Sequence, residues 1–520
     1  MSEPLKKTRT AFLSVSDRSG IVEFAHELAT LGFRIVAAGG TAKLLKQSEL
    51  EVEDLKDLIQ FPDVLGGRLR LSHPKLLAAI LANRDSPGDM HDLEKIAMEP
   101  FDLVAVNLYP VSEVLQDPNI SQHEVLEFLD VTGAAVLRAA ARNHKHVVVL
   151  HDPRDYQVVL DALREFKQLD PDTRQRLAAK AFHYTAYYDS TVAQYLGEED
   201  VERLPDEMVI SLKKAADLRF GENPHQQAAL YRRSGARPWG LSAATVVHGK
   251  PLSYNHYASL EVAVELVAEF AEPACVIVKH ANPAGVAVSH ALGEAAHEAY
   301  ASDPAGCTGG VAAFNREVDE ETAQFLGQQY LECILAPEFS VQAMDRLRPK
   351  KDLRLVTLAS LLLSANEIDL RAISGGLLIQ DKDNQTLPQM TVATRHQPSE
   401  LEKSTLELAW RVAKHGKTHC AVLARGAATL GLGCGQTSRM DAVRLAIVKG
   451  QERHPIVSPN FPLALASDGA LGVQHIHEAA QAGVTAVIQP GGTSEDKDAI
   501  KACDLRNLAM VFTGMRHYRH

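Results

Sequence analysis

Through its first 150 or so residues the chain alternates short apolar runs with segments of helical periodicity, and this alternation limits the possible folds more than any other feature. TAFLSVS is a brief apolar run, SGIVEFAHELATLG spaces its apolar residues three and four apart, and FRIVAAGG is a second run ending in glycines. Runs at DLVAVNLYP and HVVVLHDP continue the series, with helix-like HEVLEFLD and AAVLRAAARNH between them. Such a succession calls for a parallel sheet covered by helices.

Polar, helix-rich sequence from Asp152 to about Leu196 leads into GEEDVERLPDE, a charged, proline-bearing segment that marks a boundary. The expected division is residues 1–198 and 199–520, the second part taking up strands near Val209. There ACVIVKHANPAGVAV, CILAPEF, HCAVLARGAATLGLG and TAVIQPGG read as strands, with an Asn-Pro turn after Lys279 and His280, separated by alanine-rich helices such as GEAAHEAYASD and RMDAVRLAIVKG. Two stretches share a plan of buried strand, Gly-rich turn and helix, which hints at two similar subdomains.

A net charge of -12 argues against nucleic acid as the main partner, since phosphate backbones select basic surfaces. The opening MSEPLKKTRT meets too short an apolar run for a signal sequence or a membrane span, so a cytoplasmic protein is expected. Cys275, Cys307, Cys333, Cys420, Cys434 and Cys503 lie far apart in sequence without C-x-x-C spacing, which predicts neither a metal site nor disulfides.

In an open parallel sheet, ligands sit beyond the carboxyl ends of the strands. The loops to inspect hold Ser14, Ser16 and Asp17, then Gly39, Gly40 and Thr41, then Asn107 and Tyr109, then His151 and Asp152. Gly39-Gly40-Thr41 lets backbone approach an anion, with a hydroxyl at a helix start; it also fits a plain helix entry. Arg68, Arg70, His73 and Lys75 in GRLRLSHPK gather positive charge near a proline turn, suited to a phosphate or oxyanion and equally to a solvated loop.

SVSDRSG, AAGGTAK, FPDVLGGRLRLSHPK, DLVAVNLYP, LDVTGAAVLRAAARNH and HDPRDY occur in the order and spacing of the IMP cyclohydrolase domain of the bifunctional AICAR transformylase/IMP cyclohydrolase family, which this region resembles. The resemblance implies a methylglyoxal-synthase-like fold. It also implies that Ser14, Ser16, Gly39, Gly40, Thr41, Arg68 and Asn107 hold the nucleotide, while Tyr109 and Asp130 assist proton transfer as formyl-AICAR closes to IMP. Arg70 and Arg142 stand where the family usually has catalytic lysines, and Ala38 and Leu71 where it has hydroxyl residues. Arginine keeps the charge but is a poor proton donor. A usual Gly-Gly is Thr132-Gly133 here, and the Gly-Gly of the loop after His73 is Ala78-Ala79.

In the second part, Lys279 and His280 end an apolar strand; such a pair serves as general base and acid, or simply emerges into solvent. Arg219, Arg439 and Arg516 sit in turns suited to clamping phosphate and carboxamide oxygens, although each taken singly also reads as an ordinary surface arginine. LRFGENPHQ, GKPLSYN, VIVKHANPAGVAV, DPAGCTGGVAAFNREVD, GGLLIQDKD, RHQPS, GLGCGQTSRMDAVRLA, VIQPGG and FTGMRHYRH resemble the family's AICAR transformylase domain. This implies two cytidine-deaminase-like α/β subdomains without zinc and a homodimer. It implies that His280 takes the proton of the attacking amine, that Lys279 protonates the leaving nitrogen of 10-formyltetrahydrofolate, and that Arg219, Phe220, Asn255, Gly309, His419, Arg439 and Arg516 bind substrates.

Departures cluster on the presumed folate side: Phe220 for tyrosine, Ala284 for cysteine, Thr308 for phenylalanine, His419 for asparagine, and Gly469-Ala470-Leu471 for an aromatic run. Three readings stand at this point: phosphoribosylaminoimidazolecarboxamide formyltransferase with IMP cyclohydrolase; a paralogue with one activity lost or another formyl donor or imidazole nucleotide; and a non-catalytic nucleotide-binding regulator.

Overall fold

The structure, a computed structural model, describes residues 9–62, 64–117, 119–197, 204–234, 239–361, 367–387, 389–453 and 461–520. Most of the expected boundary segment, residues 198–203, lies outside the described residues. The chain divides into two compact units, one running to Lys213 and taking back a short segment from Tyr231, the other holding Lys214–Leu230 and everything from Pro238.

In the first unit, β1 (Arg9–Val15), β2 (Phe33–Ala37), β3 (Glu53–Asp54), β4 (Leu103–Asn107) and β5 (Val148–Leu150) form a sheet in the order β3-β2-β1-β4-β5. Every neighbouring pair is parallel. β4 and β5 are buried along their whole length, as unbroken apolar runs require in a parallel sheet. Phe12, Phe24, Leu28, Ile80 and Phe101 pack between strands and helices with 1% or less of their surface exposed. Because the strands run one way, the loops after β1, β2, β4 and β5 all emerge at the same edge.

The second unit is built on a mixed sheet of twelve strands. The hairpin strands β6 (Leu212–Leu218) and β7 (Ala228–Arg233) stand apart from it, as do β14 (Ile368–Ile373) and β15 (Gly376–Asp381). Its first half contains β8 (Thr245–His248), β9 (Ala274–Lys279), β10 (Asn282–Val288), β11 (Val311–Phe314), β12 (Cys333–Ala336) and β13 (Arg354–Thr357). Its second half contains β16 (Thr391–Val392), β17 (Ala421–Arg425), β18 (Ala428–Gly433), β19 (Leu463–Ser467), β20 (Ala486–Gln489) and β21 (Ala509–Phe512). Outward from the junction the orders are β10-β9-β11-β12-β13-β8 and β18-β17-β19-β20-β21-β16. In both halves the successive pairings are antiparallel, antiparallel, parallel, parallel, antiparallel. The halves are therefore one topology used twice, which the weak sequence repeat only hinted at, and they join where Ala287 of β10 faces Ala428 of β18.

Two runs read from sequence as single strands fold as hairpins. ACVIVKHANPAGVAV turns at His280 and Ala281, both left-handed with φ of 53° and 55°, and not at Asn-Pro. Two left-handed central residues match the twist of a two-residue hairpin, although neither is the glycine that tolerates this backbone without strain. Asn282 and Pro283 instead open β10, with an irregularity in register at Ala284. HCAVLARGAATLGLG likewise folds as β17 and β18, turning at Gly426, whose φ is 57°.

Candidate active sites

At the carboxyl edge of the first sheet lies a cavity of about 260 Å³. Ser14 and Ser16 line it from the end of β1, Gly39, Gly40 and Thr41 from a helix start after β2, and Asn107 and Tyr109 from the end of β4. Arg70 and Asp130 complete the group that sequence reasoning named. Arg18, which that reasoning passed over, also lines the cavity. Its signal was present: a basic residue directly after the first predicted strand.

The glycine pair lets two arginine side chains close in on the backbone, and at Gly39 it also meets a left-handed conformation. A methyl group on Gly40 would collide with Arg18 Nη2, and one on Gly39, which has a left-handed φ of 54°, would lie 2.7 Å from Arg70 Nη1. Two guanidinium groups therefore converge on the start of the helix Gly39–Gln47, where backbone N–H groups lack intrahelical acceptors. Positive helix end and forked donors together are suited to an anion. Ala38 and Leu71 line the same cavity and give it two apolar patches where hydroxyls were expected.

Some predicted ligands are occupied in holding the loops. Thr41 Oγ1 accepts from Val15 N at 2.9 Å and donates to Val15 O at 3.1 Å, buried beneath the loop. Asn107 Oδ1 accepts from the backbone of Ser16 at 2.6 Å and of Asp17 at 2.9 Å, while its Nδ2 donates to Asp17 O at 3.0 Å. These residues shape the rim. Two tyrosines of the long helix Pro171–Leu196 do the same: Tyr184 Oη accepts from Leu108 N at 3.0 Å and Tyr188 Oη from Asp130 N at 2.9 Å.

Asp130 caps the helix Val131–Arg142 by accepting from Gly133 N at 2.7 Å, and burial raises its pKa above the usual carboxylate value. Tyr109 stacks on Phe128, ring centres 4.9 Å apart, at the same rim. Behind it, His151 stacks on Tyr184 at 4.2 Å; burial, aided by the charge of Lys180, lowers its pKa to about 4.

Three expectations meet a different placement. Arg68 stands outside the cavity lining and pairs with Glu127 at 2.9 Å, a residue 59 positions away that no local pattern announces. Arg142 is exposed at the last turn of the helix that Asp130 begins, roughly 18 Å along its axis at 1.5 Å per residue. Ala78 and Ala79 belong to a helix, Pro74–Leu81, with Ala79 in the core.

In the second unit, strand register gathers the site. Antiparallel pairing of β10 with β18 sets the start of β10 beside the end of β18, and pairing of β17 with β19 sets the start of β17 beside Ser467. The parallel run β19-β20-β21 brings the end of β21, and with it the segment to Arg516, to that same edge. His280, His419, Arg439 and Arg516 accordingly share one edge of the sheet.

Hydrogen bonds tie the group together. Ala281 N donates to Ser259 Oγ at 3.3 Å, one helical turn from Asn255 on the helix Tyr254–Val267. Asn255 Nδ2 in turn donates to Glu222 O at 3.3 Å, in the loop that carries Arg219 and Phe220. Lys417 N donates to Asn282 Oδ1 at 3.1 Å, linking the His280 turn to the segment that leads through His419 into β17. Arg439 Nη2 bonds His419 Nδ1 and Tyr518 Oη, each at 3.0 Å, and its Nη1 donates to Ala470 O at 2.9 Å. Thr418 Oγ1 donates to Asp468, whose carboxyl burial pushes up.

Lys279 Nζ donates to Thr308 O at 2.5 Å, next to Gly309, while the His280 side chain is exposed. Cys420 and Cys434, fourteen positions apart, meet across β17 and β18 with Sγ atoms 3.2 Å apart as free thiols, a proximity that sequence spacing hid. Among the described residues no group of three or more His, Cys, Asp or Glu is placed to hold a metal ion, and no helix is long and apolar enough to cross a membrane.

Residues 20–135 match the model of the MGS-like domain, and residues 140–449 that of the AICARFT/IMPCHase bienzyme. The chain belongs to the AICARFT/IMPCHase bienzyme family. It is 43% identical over 518 residues to the bifunctional purine biosynthesis protein PurH of Persephonella marina, covering 98% of this chain and 100% of the relative. To the protein of the same description from Anoxybacillus flavithermus it is 42% identical over 515 residues, again 98% and 100% covered. A solved structure titled "Crystal structure of ForH" is 35% identical, covers 37% of this chain and 100% of that chain, and superposes with a TM-score of 0.34. Both parts of the bienzyme pattern, and both clusters described above, are thus present in one chain.

Proposed function

We infer that this chain carries out the last two steps of IMP synthesis: transfer of a formyl group to AICAR, then ring closure of formyl-AICAR. The observation that carries the reading is end-to-end similarity to PurH proteins together with the cavity of the first unit, whose anion site and proton-handling wall fit a ribonucleotide.

For ring closure, Arg18, Arg70 and the start of the helix Gly39–Gln47 hold the 5′-phosphate. Asp130 and Tyr109 serve the proton transfers as the carboxamide nitrogen attacks the formyl carbon and water leaves. The raised pKa of Asp130 favours this, because a carboxyl tuned upward exchanges protons more readily near neutrality. Arg70 contributes charge and no proton.

For formyl transfer, His280 takes the proton of the AICAR amine as it attacks, and Lys279 protonates the departing nitrogen of the donor, 10-formyltetrahydrofolate. Arg219, Arg439 and Arg516 supply the anion contacts. No metal takes part in this reading, and the enzyme works as a cytoplasmic homodimer. The paralogue and regulator readings have no separate observation in their favour.

Substitution of His280 by alanine tests the assignment. Transfer is expected to fall by about 10² to 10⁴, the range of a lost general base, while cyclisation of supplied formyl-AICAR stays unchanged. Full retention of transfer excludes His280 from the role.

A further inference from the structure

The final residues of the chain alternate in and out. Arg516 and Tyr518 are exposed, whereas His517 is buried and Arg519 half-buried. His517 Nδ1 bonds Asp383 Oδ2 at 2.6 Å, and its ring meets the buried Trp410 edge-on at 5.5 Å. Arg519 Nη1 donates to Glu265 Oε2 at 2.7 Å; burial works against the charge of Glu265, yet the hydrogen bond of His415 and the charges of Arg519 and Lys382 hold its pKa well below the usual range. The backbone is fixed as well, with Thr418 N donating to Arg519 O at 2.9 Å and Lys417 Nζ to His520 O at 2.7 Å.

With His517 and Arg519 anchored inward, the alternation of an extended segment leaves Arg516 and Tyr518 facing out. The Arg516 guanidinium lies over the Tyr518 ring at 4.3 Å, and the Tyr518 hydroxyl accepts from Arg439 Nη2 at 3.0 Å. One phenol therefore touches both arginines at this edge of the sheet, its ring steering one and its oxygen the other.

We propose that Tyr518 is a positioning residue of the formyl-transfer site, its ring aiming Arg516 at the nucleotide and its hydroxyl fixing Arg439, with His517 and Arg519 as its anchors. The proposal rests on assigning formyl transfer to this edge of the second unit. Its two halves separate cleanly: phenylalanine at 518 keeps the ring under Arg516 and removes only the acceptor for Arg439, while leucine removes both.

The test measures AICAR binding by calorimetry and steady-state formyl transfer on the full-length protein, with cyclisation of formyl-AICAR as the control. Tyr518→Leu is expected to weaken AICAR binding by about tenfold, the combined loss of an exposed cation–π contact and one hydrogen bond. Tyr518→Phe, which keeps the ring under Arg516 and removes only the acceptor for Arg439, should weaken AICAR binding by no more than about twofold with kcat nearly unchanged, and both variants should cyclise normally. Asp383→Asn, which loosens the His517 anchor, should weaken AICAR binding in the same direction if the leucine variant fails to fold. Equal AICAR affinity in the leucine variant and the unsubstituted protein, or identical effects of leucine and phenylalanine, would overturn the proposal. Weakened binding in a protein whose unsubstituted form transfers no formyl group would leave Tyr518 in its role and count against the transfer reading instead.

Discussion

The two units assemble their chemistry differently. In the first, loop and helix-start positions of one parallel sheet close on one cavity, and the side chains of Thr41, Asn107, Tyr184 and Tyr188 hold the rim by buried or half-buried hydrogen bonds. In the second, the candidate residues form a row along a sheet edge, linked from Glu222 through Asn255, Ser259, Ala281 and Lys417, with His280 and Arg219 exposed at its surface. The lesson is that a doubly wound sheet builds a site by converging loops, whereas a duplicated mixed sheet builds one by register at the seam between its copies. A site of the first kind is sensitive to single rim residues; one of the second is sensitive to whatever fixes the strand ends.

The sharpest way to break that comparison is Asp130→Asn. Asparagine caps a helix about as well as aspartate, so the melting temperature should hold. Cyclisation should drop by about 10² or more through loss of the proton-transfer group, with formyl transfer untouched. Equal loss in both assays would mean that the units do not act separately.

Acidification gives a further effect, to which His151 of the first unit contributes. The folded protein keeps His151 neutral down to about pH 4, while the unfolded chain protonates it near 6.5. Between those values the unfolded state binds the extra proton, so stability falls as pH falls, by up to about 3 kcal/mol once the window is crossed. Thermal melts from pH 7 to 4 should show this slope in the native protein and a shallower one in His151→Phe, which keeps a ring against Tyr184. Equal slopes would remove His151 from the account.

The smallest expected change is the most discriminating about the cavity. Arg142→Ala should alter cyclisation by less than about twofold, since one solvent-facing charge at a distant helix end is screened. A loss of about tenfold or more would mean that the reacting nucleotide extends beyond the cavity, to where Arg142 stands.

These outcomes also mark what the sequence made legible. The parallel sheet and its ligand-bearing loops followed from apolar runs alternating with helical periodicity, because topology alone fixes which ends of the strands face a ligand. Arg68 and Arg142 could not be placed that way. Their positions depend on a partner 59 residues distant and on helix length, neither of which leaves a local signature. The turn at His280 and Ala281 was hidden because the sequence offers Asn-Pro as the obvious turn, and only strand pairing reveals two non-glycine residues taking the left-handed backbone instead. The Cys420–Cys434 approach and the Tyr518 link to Arg439 are likewise products of register across strands.

The most direct test of the central claim, that one chain holds two separate catalytic sites for consecutive steps, is a two-stage assay on the purified protein that follows IMP. Formyl-AICAR alone should give IMP, and AICAR with 10-formyltetrahydrofolate should give it as well. IMP from neither mixture, or from the first alone, would contradict the account.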